Sequence, residues 1–459
     1  MTENNRINPT KQLCLLLALV LLLRIAAALL ILHIDGPAGF LNPDTSTYIA
    51  PANSLLHGSF SSNGLPDVVR TPGYPLLLVP AIASHHLVLV AIAENLLLAA
   101  ISAWLIWIIT AEVAPLSNAR AWAVLLYCFE PVGFLYSEKM LSDQLFATLF
   151  LIFLWLAIRF LKSPNYSWLL GSAIALGLAT YSRPVSLYLG GLLAALFLFL
   201  PRRLAWPARI RRAVAFALAF VAILIPWMIR NNQVAGYRGF SAIIDVNLYF
   251  YSGAAVEAKV EHKNFLQVQD ELGWSNEPRY FQAHPEQRTW TQGQIFAFER
   301  AEARRLILQH PLTYALIHLR GCTVVLLDPA VTEAMKLLRR YPENGGLLSR
   351  GVDQGTLGAV LWLVRHYPDT ALALPIFGLL LLFYYFVGLA GLRRLPADVA
   401  ALLILLCAYF IFVSGSSPAV ARFRTPIMPL VCISGGLAIA EFQRRKTHAA
   451  ASALEPASN

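Results

Sequence analysis

Apolar residues come along this chain in long blocks, with little alternation. "LCLLLALVLLLRIAAALLIL" begins at Leu13, and runs of similar length recur as far as "IMPLVCISGGLAIA" near the end. About 16–22 residues with almost no charge is the length of a membrane-spanning helix. The first run is too long and too uniform for a signal peptide, and no small-residue cleavage site follows it, so it reads as a retained helix. The runs predict spans at 13–34, 88–111, 120–137, 143–161, 166–182, 185–200, 213–229, 371–391, 398–415 and 426–441. A short apolar piece at 75–84 precedes the second span, and 312–328 could cross with only a weak partner at 355–367.

The pattern therefore predicts an all-α polytopic membrane protein of about 10–12 crossings, with juxtamembrane helices on one face. Residues 1–229 read as a first transmembrane module with outer loops at 35–75 and 137–143. After "PWMIRNN" the composition turns polar, and 230–311 reads as a small extramembrane cap. Within it, "TWTQGQIFAFERAEARRLILQH" has the pattern of an amphipathic helix ended by Pro311. Residues 312–441 return to the membrane, and 442–459 read as a disordered cytoplasmic tail.

Charge adds an orientation. The chain carries a net charge of +10, with 57% hydrophobic and 14% charged residues. The cations gather in short loops: Arg202, Arg203, Arg209, Arg211 and Arg212; Arg393 and Arg394; Arg444, Arg445 and Lys446. Short basic loops face the cytoplasm, so these are topology determinants beside anionic lipid and not a nucleic-acid surface. Arg6 and Lys11 place the N-terminus inside. The five cysteines lie in apolar stretches without metal or redox spacing.

That orientation collects Asp35, Asp44, Asp67, Arg70, Glu138, Lys139, Asp143, Arg183, Arg230, Arg422 and Arg424 on the outer face. Ionisable groups at membrane depth are costly and usually functional. The phrase Arg-Thr-Pro occurs twice, at 70–72 and at 424–426, each time before an apolar run. Thr suits an N-cap and Pro the first helical position, so each phrase predicts a helix start with an arginine beside it. Such a start is an anion site suited to phosphate. The plainer reading is that the arginines snorkel to lipid headgroups. Asp44 could simply cap a helix toward Leu56, and Lys139 and Asp143 have the spacing of a helix ion pair.

"NPDTSTYIAPANSLLHGSFSSNGLPDVVRTPGYPLLLVPAI" resembles the first outer loop of the GT-C glycosyltransferases, which include the protein O-mannosyltransferases and lipid A aminoarabinose transferases. Those enzymes have an acidic residue soon after the first helix, a Y-x-x-x-A-x-x-L-x-x-G pattern, and a basic residue before a proline-containing helix start. Here these are Asp44, Tyr48 to Gly58, and Arg70-Thr71-Pro72. "YSEKMLSDQLFATLFL", "ATYSRP", "PWMIRNN" and "ARFRTPIMP" extend the resemblance over 13–235 and the last outer loop. The single Asp44 departs from the Asp-Glu of many relatives, which leaves the subfamily open.

The resemblance implies an integral membrane glycosyltransferase that moves a sugar from a polyprenyl-phosphate donor to a lipid, glycan or protein acceptor at the outer face, with inversion. In a bacterium this is the periplasmic face of the inner membrane. It implies Asp44 as catalytic base, with Glu138 as a second catalytic carboxylate. Tyr48, Arg70, Arg183, Arg230, Arg422 and Arg424 become substrate-binding residues. Glu138 and Asp143 become candidates to hold Mg²⁺ or Mn²⁺. A lipid-linked-sugar flippase, with groups near the midplane such as Arg24, Glu94 and Glu130, and a surface-polysaccharide polymerase or ligase are the competing readings.

Overall fold

A computed structural model describes residues 8–114, 117–342 and 347–452. Arg6, on which the sequence orientation partly rests, and the tail from 453 lie outside the described residues. The chain is a nearly all-α polytopic membrane protein. Among the described residues, 6 helices are long and apolar enough to cross a membrane. The count is 7 if Pro311–Leu327 and Val331–Leu337, bent by 63°, form one broken span. The larger number expected from sequence also counted shorter apolar segments.

The first half runs α1 (Pro9–Asp35), α2 (Thr45–Leu55), α3 (Gly73–Ala83), α4 (Leu87–Val113), α5 (Ser117–Phe129), α6 (Pro131–Ser137), α7 (Asp143–Lys162), α8 (Tyr166–Ser182), α9 (Leu189–Phe199) and α10 (Trp206–Ala235). The expected single span at 120–137 is broken in two. Pro131 cannot donate a backbone hydrogen bond, and the Glu130 carboxylate caps the new start by accepting from Val132 N at 3.0 Å and Gly133 N at 2.5 Å. Glu130 is thus a buried cap and not a midplane substrate group.

α7 is the central post. Phe146, Phe150, Phe153 and Phe160 line its buried face, and Phe146 and Phe150 stack at 5.7 Å. Phe410 of the Ala397–Ser414 helix meets Phe150 edge-on at 5.1 Å. Such aromatic packing fixes the post against its neighbours. Ser102 Oγ and Thr148 Oγ1, 2.9 Å apart, tie α4 to α7 where hydrocarbon would leave hydroxyls unpaired. One end of this post carries Asp143.

The polar stretch after α10 folds onto the same end. Short helices there include Ile243–Asn247 and Ala254–Val260, joined by a π-helical turn, Leu248–Gly253. The amphipathic helix is Gln292–Gln309, and Thr291 and Gln294 close a reciprocal capping box at its start. The last helix runs Met428–Ser452, so the expected disordered tail is helical over 442–452.

Candidate active site

The first loop reaches the site through a tight hairpin. Ser61–Ser62 pairs antiparallel with Leu65–Pro66 around Asn63 and Gly64, both at positive φ. The Asp67 carboxylate then accepts from Ser62 Oγ at 2.8 Å, Val69 N at 2.9 Å and Arg70 N at 2.8 Å. This turn aims Arg70. Gly73, next in line, lies so close to α8 that an added Cβ would stand 2.6 Å from Tyr181 O. The glycine of "RTPGYP" therefore lets α3 meet the end of α8, where Arg183 sits.

Arg70 Nη2 donates to Asp44 Oδ1 at 3.0 Å, and its Nη1 to Tyr48 Oη at 3.2 Å. The guanidinium lies 4.6 Å from the Tyr48 ring centroid. From the last outer loop, Arg422 Nη1 donates to Asp44 Oδ2 at 2.8 Å. Its Nε and Nη2 both reach Asp143 Oδ2, at 2.9 and 2.7 Å. Asp143 Oδ1 accepts from Arg183 Nη1. Tyr48 Oη also meets Ser142 Oγ at 3.1 Å.

The result is a ladder, Arg183–Asp143–Arg422–Asp44–Arg70, built from four separate segments. Three guanidiniums face two carboxylates, leaving one positive charge uncompensated within it. The Asp143 side chain is 1% exposed, whereas that of Asp44 is 40% exposed. Asp44, held between Arg422 and Arg70, is the most exposed member of the array. Burial works to raise its pKa, but the charges of Arg70 and Arg422 outweigh it and hold the carboxyl below the usual carboxylate range. An electropositive array with one open side can bind an anion.

The structure thus brings together Asp44, Tyr48, Arg70, Asp143, Arg183 and Arg422. It does not add the rest. Arg424, 1% exposed, turns away and caps the end of the Pro311–Leu327 helix, donating to Val325 O at 2.6 Å, Leu326 O at 3.2 Å and Asp328 O at 2.8 Å. Orphan carbonyls at a helix end are a natural partner for a guanidinium. Arg230 holds the first loop from below, donating to Asp67 O at 2.5 Å and Phe60 O at 2.6 Å. Glu138 closes α6 and faces the buried Arg24 at 3.6 Å. Neither Arg-Thr-Pro phrase is capped by its threonine: Pro72 occupies the cap position of α3, and a 3₁₀ turn, Ala421–Arg424, precedes the last helix.

Glu138 and Asp143 do not fit a divalent cation as they stand. Both Asp143 oxygens already accept from arginines, and Glu138 belongs to the Arg24 contact. Among the described residues no group of three or more His, Cys, Asp or Glu side chains could hold a metal ion. Sequence reasoning missed Ser142, which carries no charge or motif signal, and the second role of Asp67 as the turn that aims Arg70.

Comparison with known proteins adds a partial match. Residues 72–229, about a third of the chain, match the model of the dolichyl-phosphate-mannose-protein mannosyltransferases. No curated protein sequence matches the chain. Among solved structures, oligosaccharyltransferase AglB from Archaeoglobus fulgidus, in complex with an inhibitory peptide and a dolichol-phosphate, is similar at 14% identity over 96% of this chain and 52% of its own, with a TM-score of 0.47. The apo form of the Archaeoglobus fulgidus oligosaccharyltransferase is similar at 15% identity over 96% and 52%, TM-score 0.48. ArnT from Cupriavidus metallidurans, bound to undecaprenyl phosphate, is similar at 14% identity over 92% and 77%, TM-score 0.36. The present chain spans about half the length of the archaeal proteins. Scores this low assign no activity.

Proposed function

We propose that this chain, residues 72–229 of which match the dolichyl-phosphate-mannose-protein mannosyltransferase model, is a GT-C glycosyltransferase that transfers a sugar from a polyprenyl-phosphate donor to an acceptor hydroxyl or amine at the outer face of the bacterial inner membrane. One observation carries the reading: Arg70 and Arg422, from opposite ends of the chain, converge on the half-exposed Asp44. Two guanidiniums with one side open suit a phosphate, which each can bind through a fork of N–H groups.

The donor phosphate takes over the bonds that Arg70 and Arg422 now make to Asp44. That exchange leaves the Asp44 carboxylate free and less electrostatically depressed. The acceptor oxygen or nitrogen attacks the anomeric carbon from the face opposite the phosphate, and its proton passes to Asp44. The bond from the anomeric carbon to the phosphate oxygen breaks, and its electron pair stays on the polyprenyl phosphate. Arg70 and Arg422 stabilise the charge that develops there. Configuration inverts because attack and departure lie on opposite sides. A lipid phosphate leaves without protonation, so no general acid is needed, unlike glycoside hydrolysis. Arg183 and Asp143 hold Arg422 in place, and Tyr48 holds Arg70.

The purified full chain, given labelled polyprenyl-phosphate sugars and candidate acceptors, should release free polyprenyl phosphate and form a product of inverted anomeric configuration. Retention of configuration, or vesicle uptake of donor without bond cleavage, would contradict the reading. Sidedness is tested separately: a cysteine at Asn63 should react with an impermeant thiol reagent from outside, and one at Ala208 should not.

A further inference from the structure

The run from Ile243 to Val260 forms a strap that is pinned just before its start to the segment of Arg70 and at Ser252 to the loop that leads to Arg422. At its start, Ala242 N donates to Val68 O at 2.8 Å and Ser241 Oγ to Val69 O at 2.5 Å. These carbonyls stand next to Arg70. Further along, Ser252 Oγ meets Ser416 Oγ at 2.8 Å, on the loop that leads to Arg422. Arg300 clamps the strap from above, its Nε and Nη2 donating to the two Asp245 oxygens at 2.6 and 2.7 Å.

At the second pin the helix widens into the π turn Leu248–Gly253, which contains Ser252. Such turns are rare and cluster at functional sites, because one extra residue re-aims the side chains that follow. Gln269 Nε2 holds the turn by donating to Phe250 O at 2.8 Å. Tyr251 is the half-exposed aromatic of this turn. Its ring is backed edge-on by Trp274 at 5.2 Å, with Phe265 at 6.5 Å. These contacts hold the ring of a residue that is itself only partly buried. Burial raises the pKa of its hydroxyl, the charge of Asp44 raises it further, and Arg70 acts in the opposite sense, which places the phenol within reach of that pair's field.

We propose that the strap presents Tyr251 as the platform for the transferred sugar, its ring lying against the sugar's C–H face beside Asp44. The inference rests on the transferase reading above and adds which residue recognises the sugar. The lipid phosphate belongs to Arg70 and Arg422, and the sugar to the strap. An aromatic ring offers flat apolar area at small cost in side-chain freedom, which suits a ring of axial C–H bonds.

Equilibrium binding to the purified full chain separates the two recognitions. The probes are undecaprenyl phosphate alone and undecaprenyl phosphate bearing glucose, mannose, arabinose or 4-aminoarabinose. Wild type should bind one sugar-bearing form more tightly than the bare lipid phosphate. Tyr251→Ala should erase that preference, about a tenfold loss for a removed aromatic contact. Tyr251→Phe should keep it. All three proteins should bind the bare phosphate equally. The platform is overturned if Tyr251→Ala keeps the preference, if wild type prefers no sugar, or if the bare phosphate is weakened as much as the sugar-bearing form. Failure of wild type to bind any of the probes would instead bring down the transferase reading itself.

Discussion

Arg422 Nη1 donates to Asp44 Oδ2 at 2.8 Å, joining residues 378 positions apart. Through the same guanidinium Arg422 also holds Asp143, so the first outer loop, the end of α7 and the last outer loop share one charged group. That sharing separates Arg422 from Arg424, its neighbour by two.

Arg422→Ala should abolish donor binding and also destabilise the fold, because it strips one partner from the buried Asp143. Asp143 keeps Arg183, so the cost is that of the lost charge-assisted hydrogen bonds, about 1.5–3 kcal/mol. Arg422→Lys should retain the fold but recover only part of the binding, since a point charge replaces a fork. Arg424→Ala should lower thermal stability through lost carbonyl contacts while leaving affinity for polyprenyl phosphate unchanged. Equal loss of affinity in Arg422→Lys and Arg424→Ala would contradict the assignment.

The sequence marked both arginines alike, and the reason they part is local geometry. Ala421–Arg424 is a 3₁₀ turn. At 3.0 residues per turn, two positions stand about 240° apart, so one side chain faces Asp44 and the other the helix end. Asp143 shows a similar limit. Its four-residue spacing from Lys139 predicts a helix pair, but α7 begins at Asp143 itself, so the spacing had no helix to act on. By contrast the apolar runs were legible by their length, Asp44, Arg70 and Arg422 because charge stands out beside apolar runs, and Tyr48 through the motif it shares with the resembling family. The strap over 243–260 was not, because its anchors are backbone carbonyls and serines with no pattern in the sequence.

Asp67 is a loop carboxylate whose side chain shapes the turn that carries Arg70. Asp67→Ala removes the acceptor of Val69 N, Arg70 N and Ser62 Oγ. Donor affinity should fall with little change in turnover at saturating donor, since Arg70 is mispositioned and Asp44 is intact. A kcat effect without a KM effect would contradict this.

Glu138 gives a pH-dependent test of its structural role. Burial pushes its pKa up to about 7, with Arg24 acting in the opposite direction. The folded state therefore binds its proton more tightly than the unfolded state, whose carboxyl titrates near about 4.3. Stability tied to this group is present below that value and is lost as pH rises toward 7. Glu138→Gln, which stays neutral, should match wild type near pH 4 and become the more stable protein by pH 8, by about 1–3 kcal/mol. Thermal unfolding across that range measures it. A difference independent of pH would remove burial as the cause.

In the proposed reaction Asp44 is a base that the donor phosphate frees by taking its arginines. Asp44→Asn tests it most directly, with binding of undecaprenyl phosphate and single-turnover transfer measured on the same preparation. Removing a carboxylate that competes for Arg70 and Arg422 should leave phosphate affinity equal to wild type or tighter. Transfer should fall by about 10²–10⁴-fold, the contribution of a positioned base. If affinity for the bare lipid phosphate is lost together with transfer, Asp44 organises the arginines and is not the base, and the account fails at its centre.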